Sequence, residues 1–334
     1  MQRFTYVRPS TPAEAIRAMA ESGPGTRFMA GGTTLYDLMK LGVEAPSKII
    51  DITHLDALAG FDTSGQHELV FGALARMSDV AADRRLLKDY PALAESLSKA
   101  ASQQLRNMAR VGPNLLQRTR CAYFRGGETF PCNKREPGSG CAAHEGLDRG
   151  HAVLGVSEAC RAVYPGDWGV ALVAFDAVVD TLSPRGERSI PLKELHREPG
   201  STPDVETVLA PDELLVRIRV PATQAGRAST YHKIRDRESY AFALSSAAVA
   251  LRLDSGVVTE ARVALGGVAT RPWRSPEAES VLLGQPLTED VAERAGRAAF
   301  AAAIPGKHNA FKLELGARTV TDAVLIARQR AEQS

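Results

Sequence analysis

Thr26-Arg27-Phe28-Met29-Ala30-Gly31-Gly32-Thr33-Thr34-Leu35-Tyr36-Asp37-Leu38-Met39-Lys40 is the stretch that decides how the chain folds. Its first residues read as a strand, its middle is a glycine pair, and its end is helical in spacing and stopped by Gly42. A strand running through two glycines into a helix presents backbone N–H groups and lets a ligand approach where no Cβ intervenes. Such a turn can hold a phosphate; taken alone it reads first as a plain structural turn. The spacing is not Gly-x-Gly-x-x-Gly, which excludes a Rossmann dinucleotide site.

The neighbouring sequence repeats the alternation. Thr11-Pro12-Ala13-Glu14 caps a helix, with Pro at its first position and Glu three residues after the cap. KIIDIT (48–53) is a short buried strand, so the first 55 residues make a small β-α-β-α-β unit. HELVFGALA (67–75) is a strand, and residues 77–101 are helical with an interruption near Pro91. RAVYP (161–165) reads as a strand, GDWGVALVAFDA (166–177) as a helix that Asp167 caps, and VVDTLSPRGERSIPL (178–192) as a hairpin. ELLVRIRVP (213–221) alternates as a strand should. After the linker 221–229 come strands at 231–237, 248–254 and 261–269, then helices from Glu277, Thr288 and Asn309. This reads as a separate α+β domain.

With 334 residues, 44% hydrophobic and 24% charged, the chain is long enough for two or three compact units. A net charge of +2 with no basic stripe excludes a nucleic-acid platform. The longest apolar run is interrupted by Asp176 and is too short to span a bilayer. MQRFTYVRPS lacks an apolar signal core, so the expected location is cytoplasmic, or periplasmic by co-export with a signal-bearing partner.

All four cysteines, Cys121, Cys132, Cys141 and Cys160, fall between residues 121 and 160, three of them in an aperiodic stretch from Gln117 to Gly155. Chance would gather four cysteines so tightly on the order of 1% of the time, which points to a shared site. Disulfides suit small secreted domains, and structural zinc favours close cysteine pairs that are absent here. An iron–sulfur cluster tolerates irregular spacing in a long loop. Spacing alone leaves cluster and zinc level, with unrelated buried thiols close behind. No Ser-His-Asp order and no His-Glu-x-x-His motif is present.

In order, AGGTTLYDLMK (30–40), GALARMSDV (72–80) and QLRNMARVGPNLLQ (104–117) resemble the FAD-binding subunit of the molybdenum hydroxylases, the xanthine dehydrogenase and carbon monoxide dehydrogenase group. QRTRCAYFRGG (117–127), FPCNK (130–134), HAVLG (151–155) and CRAVYPGDWGVALVAFDA (160–177) resemble its bacterial aldehyde oxidoreductase branch, whose flavin subunit carries an extra [4Fe-4S] cluster. KIRDRESYAFALSSAAVAL (233–251), VALGGVATRPWR (263–274) and NAFKLELGARTV (309–320) resemble that branch's C-terminal domain.

The resemblance implies an α+β chain with a two-part FAD-binding domain of the vanillyl-alcohol-oxidase (PCMH) type, followed by a smaller α+β flavoprotein domain. The first would span residues 1–222, divided at 55/56 and carrying the cluster insertion at about 117–160; the second would span 226–334. Arg27, Phe28, Met29, Ala30, Gly31, Gly32, Thr33 and Thr34 would hold the FAD pyrophosphate. Ala101, Arg110, Gly112, Asn114 and Gln117 would line the second FAD loop. Asp167 would contact the flavin or its ribityl chain, and Leu215 and Lys233 would approach the isoalloxazine, where a lysine stabilises the reduced anion. The four cysteines would bind the cluster. The implied partners are a molybdenum-cofactor large subunit, a [2Fe-2S] small subunit and an external electron acceptor.

One departure stands out. Thr-x-Gly-Gly-Asn of the family is Arg110-Val111-Gly112-Pro113-Asn114 here. Pro113 lacks an N–H donor and Arg110 replaces a small hydroxyl, so Arg110 either pairs with an FAD phosphate or blocks the flavin. In the second case the chain would be a non-catalytic scaffold with a decayed flavin site and a structural cluster.

Overall fold

The computed structural model describes residues 1–333 and shows a mixed helix-and-sheet chain built on three sheets. In the first unit, β1 (Thr5–Val7), α1 (Pro12–Ala20), β2 (Thr26–Met29), α2 (Leu35–Lys40) and β3 (Lys48–Asp51) alternate. β3 lies between β1 and β2 and pairs parallel with both, as strands joined through helices must. Thr11 accepts the Glu14 N–H at 3.2 Å, the cap expected from sequence, while Glu14 reaches back to the Ser10 N–H at 2.7 Å.

The second unit holds an antiparallel sheet in the order β4-β5-β8-β6-β7. Its strands are β4 (Phe61–Asp62), β5 (Glu68–Gly72), β6 (Val178–Ser183), β7 (Gly186–Pro191) and β8 (Leu214–Pro221). Between β5 and β6 the chain builds α3 (Met77–Ala81), α4 (Arg84–Asp89), α5 (Pro91–Ser98), α6 (Gln103–Met108), α7 (Val111–Leu115), α8 (Ala122–Arg125) and α9 (Trp168–Ala174). The helix expected over 77–101 is thus three helices. Asp83 turns back to accept the Arg85 and Leu86 N–H groups, and Pro91 opens the last one. The strand expected at 161–165 is also corrected: this segment pairs with no strand and is held singly, by Arg161 O to Ala152 N and by Tyr164 N to Ala269 O.

After the short α10 (Leu192–Leu195), the C-terminal part forms an antiparallel sheet in the order β12-β11-β10-β9. These are β9 (Ser229–Ile234), β10 (Ser245–Asp254), β11 (Val257–Gly266) and β12 (Trp273–Arg274), covered by α11 (Pro276–Leu282), α12 (Glu289–Ala298) and the long α13 (Phe311–Glu332). Every residue of α9 is buried, and this helix packs against β10 and β11. Trp168, Val170, Tyr231, Ala248 and Ala264 therefore share one core across the second and C-terminal parts. Burying a side chain of the Phe175 or Leu172 class contributes roughly 1.5–3 kcal/mol, which fastens the two parts together. No helix among the described residues is long and apolar enough to cross a membrane.

Candidate functional site

The glycine turn lies at the centre of a two-lobed cleft. Gly31 packs under the carbonyl of Met108, where an added Cβ would come within 2.0 Å of that oxygen. Gly32 has φ +72°, which favours glycine. The turn is braced from the end of β3, where Ile52 N donates to Met29 O at 2.8 Å and Thr53 Oγ1 to Ala30 O at 3.0 Å.

The second wall begins at Ala101, a non-glycine residue with φ +47°, and continues through α6, capped by Ser102. Met77 N donates to Ala109 O, Val111 N to Ala75 O and Gly112 N to Ala73 O, at 2.8–3.0 Å. The Arg110 region is thereby sewn to the chain leaving β5. Asn114 Oδ1 and Arg110 Nε are buried without a partner, although a second Arg110 nitrogen donates to Leu74 O at 3.1 Å. Buried polar atoms without partners are uncommon. Here both belong to residues lining the cleft.

One lobe, of about 1050 Å³ including space open to solvent, is lined by Arg27 through Thr34, Arg110, Pro113, Asn114 and Leu215. The other, of about 2160 Å³ including space open to solvent, shares Met29 to Thr34 and Asn114 and adds Ala101, Gln117 and Asp167. Fourteen of the sixteen residues expected to bind the cofactor therefore meet on one surface. Gly112 does not line it: a Cβ there would strike Ala73, so its glycine serves packing. Lys233 stands behind Asp167, with its side chain 1% exposed.

Asp167 opens α9, yet its side chain makes no cap. Its carboxylate accepts from Tyr231 Oη at 2.6 Å and from Lys233 Nζ at 2.8 Å, and Lys233 also donates to Lys99 O at 3.0 Å. Burial outweighs the opposing Lys233 charge and the two donors and pushes the Asp167 carboxyl above the usual carboxylate range.

The four cysteines are free and line one tight cavity of about 10 Å³, together with Pro131, Ala143 and His151. Cys132 and Cys141 pair as an isolated antiparallel bridge, with Asn133 N on Gly140 O at 2.7 Å. Cys121 Sγ lies 3.2 Å from His151 Nε2, and Cys160 Sγ accepts the Ala162 N–H at 3.4 Å. Burial pushes the Cys121 thiol up to about 12. No group of three or more His, Cys, Asp or Glu side chains that could hold a metal ion occurs among the described residues. The cysteines thus share a cavity without forming such a group.

The cysteine loop is tied down by charge. Arg118 bonds Glu44 at 2.5 Å and Glu206 at 3.3 Å, and Lys134 meets Glu206 at 2.9 Å. Arg120 and Arg125 both bond Asp37 of α2, at 2.9 and 2.8 Å. On the other side, Asp148 accepts the His308 and Lys307 N–H groups, and Asn309 donates to His151 O. Sequence reasoning missed Asp37, Arg120, Arg125 and Phe242 as cleft residues, because partners far apart in sequence leave no local pattern.

Comparison with known proteins agrees with this geometry. Residues 2–223 match the model of the FAD binding domain in molybdopterin dehydrogenase, and residues 229–327 match the CO dehydrogenase flavoprotein C-terminal domain. The chain is 47% identical to the aldehyde oxidoreductase FAD-binding subunit PaoB of Escherichia coli K12, over 99% of this chain and 100% of that protein. It is 26% identical to the carbon monoxide dehydrogenase medium chain of Hydrogenophaga pseudoflava, over 91% of this chain and 88% of that one. A solved carbon monoxide dehydrogenase from the same organism superposes with a TM-score of 0.77 at 26% identity, covering 98% of both chains. A two-lobed cleft around a glycine turn, followed by the flavoprotein C-terminal sheet, places this chain in the molybdenum hydroxylase family as one of its FAD-binding subunits.

Proposed function

We propose that the chain is the FAD- and [4Fe-4S]-containing electron-transfer subunit of a heterotrimeric molybdenum-dependent aldehyde oxidoreductase. It works beside a molybdenum-cofactor large subunit and a [2Fe-2S] small subunit and passes electrons to an external acceptor. The observation that carries this reading is the 47% identity, along the whole chain, with an aldehyde oxidoreductase FAD-binding subunit. Oxidation of the aldehyde belongs to the large subunit. The complex is cytoplasmic unless a signal-bearing partner takes it to the periplasm.

The working division is residues 1–222 for FAD, split at 55/56 with the cysteine insertion at 117–160, and 226–334 for the C-terminal domain. The cleft suits FAD in size and in its unsatisfied polar atoms, Asn114 Oδ1 and Arg110 Nε. When bound, FAD supplies stepwise acceptance of single electrons and their release as a pair. Arg27 through Thr34 hold the pyrophosphate, with Ala101, Arg110, Asn114 and Gln117 on the opposite wall and Leu215 in the smaller lobe. Asp167 faces the larger lobe. Lys233 acts through Asp167, since it neutralises that carboxylate from behind.

The departure at 110–114 fits flavin binding better than decay. Pro113 lies in the first turn of α7, where a helix leaves its N–H groups unused, and Arg110 is tethered to Leu74 O along the cleft wall. Four free cysteines in one loop are a soft donor set of the kind iron takes, and on that ground a cluster is proposed for Cys121, Cys132, Cys141 and Cys160; binding it would draw together thiols that form no metal-binding group among the described residues.

The test is to purify the chain with its partners and release flavin with acid. About one flavin per complex is expected. A cluster spectrum without releasable flavin overturns this reading in favour of the scaffold.

A further inference from the structure

The larger lobe is closed by two segments that the FAD-binding reading leaves without a role. One is the start of the cysteine loop, from which Arg120 reaches into the cleft beside Arg125. The other is the connection 235–244 between β9 and β10, whose Tyr240 and Phe242 also line the lobe. Phe242 is 46% exposed, and Tyr240 adopts φ +53°, a conformation rare for a bulky residue. Arg237 holds this bend by donating to Tyr240 O at 3.0 Å.

Arg120 joins the pieces. Its guanidinium bonds Asp37 Oδ2 at 2.9 Å and lies 4.9 Å from the centre of the Phe242 ring, within cation–π range. Asp37 belongs to the helix that leaves the glycine turn, Arg120 adjoins Cys121, and Phe242 comes from the C-terminal part. One side chain thus joins its own stretch of chain to two others at one edge of the cleft. Its Nε is buried without a partner, so the contact is set by the planar face and one edge of the guanidinium.

We propose that Arg120 is a positioning residue that clamps the 235–244 connection over the flavin, so that the cysteine loop controls how tightly the cleft is closed. The clamp rests on the FAD reading above. It couples the two proposed cofactor sites mechanically: whatever orders Cys121 also orders the residue beside it. Arg120 is the element suited to this because a lysine matches its charge but lacks the flat face that packs on a ring.

The test uses the full flavin-loaded chain and reads the FAD release rate and the quenching of flavin fluorescence by acrylamide, with iron measured in parallel. Arg120→Ala and Phe242→Ala each raise release and quenching about fivefold. The double variant goes little beyond the larger single one, because both remove the same contact. Arg120→Lys recovers the charge yet stays closer to Arg120→Ala than to wild type. Unchanged release and quenching overturn the clamp, as do strictly additive effects. Phe242→Ala decides the matter where Arg120→Ala fails to fold, since it leaves the cysteine loop intact. A wild-type chain that binds no flavin overturns the functional reading and the clamp together, whereas loaded wild type with unaltered variants overturns the clamp alone.

Discussion

The glycine turn and the cysteine loop face each other across one cleft but are held by different forces. The turn hangs between β2 and α2, and backbone hydrogen bonds from Ile52 and a neighbouring Thr53 hydroxyl fix it. The loop has little regular structure; salt bridges from Arg118, Arg120, Arg125 and Lys134 and the buried Asp148 hold it instead. The difference teaches that a site on regular elements is shaped by the local chain, whereas a long loop needs distant side chains or a bound group.

Four changes would break or sharpen that contrast, beginning with the largest. If the proposed cluster is bound, Cys132→Ser should strip its iron and open residues 117–160 to protease while the glycine turn stays folded. Structural metal binding is worth on the order of 10 kcal/mol, and unchanged iron content would exclude the cluster. Gly31→Ala strikes the other side. Its Cβ would be driven within 2.0 Å of Met108 O, where backbone meets backbone, at a cost of about 3 kcal/mol. Urea unfolding and flavin content should both record it, with iron retained.

Glu206→Gln tests the charges under the loop. It leaves Arg118 and Lys134 short of a carboxylate; allowing for partial exposure, the cost is about 2 kcal/mol. Burial raises the Glu206 carboxyl, but Lys134 and Arg118 outweigh it and hold it below the usual carboxylate range. Its contribution is therefore complete above the unfolded value of about 4.3 and is lost as pH falls through the lower folded value. The variant should lose that part of the acid dependence, as a melting series from pH 7 to pH 3 would show. The smallest effect is expected from Thr11→Ala, which removes the cap of α1 and should cost about 1 kcal/mol without touching iron.

The contrast also explains what could be read in advance. Thr11, Gly42 and the alternation in residues 26–51 announce the first unit through propensities that act within a few residues. Most of the expected flavin residues, which the family resemblance implied, converge on the cleft around that glycine turn. Where a distant partner competed, the sequence reading failed. Asp167 looks like a cap, but Tyr231 and Lys233 take its oxygens; residues 161–165 look like a strand, but no neighbouring strand pairs with them. Gly112 looks like a ligand-facing glycine and is instead pressed on Ala73.

Taken by itself, the sequence determined the alternation of the first unit, the glycine turn and the gathering of four cysteines in one short span. These rest on backbone geometry and spacing, which neighbouring residues set. Tertiary structure alone decided that Arg120 reaches Asp37 and Phe242, that Lys233 stands behind Asp167, and that the cysteines share a cavity. Those contacts join residues far apart in the chain. Packing and charge pairing select them after the elements have met, so no local pattern could encode them.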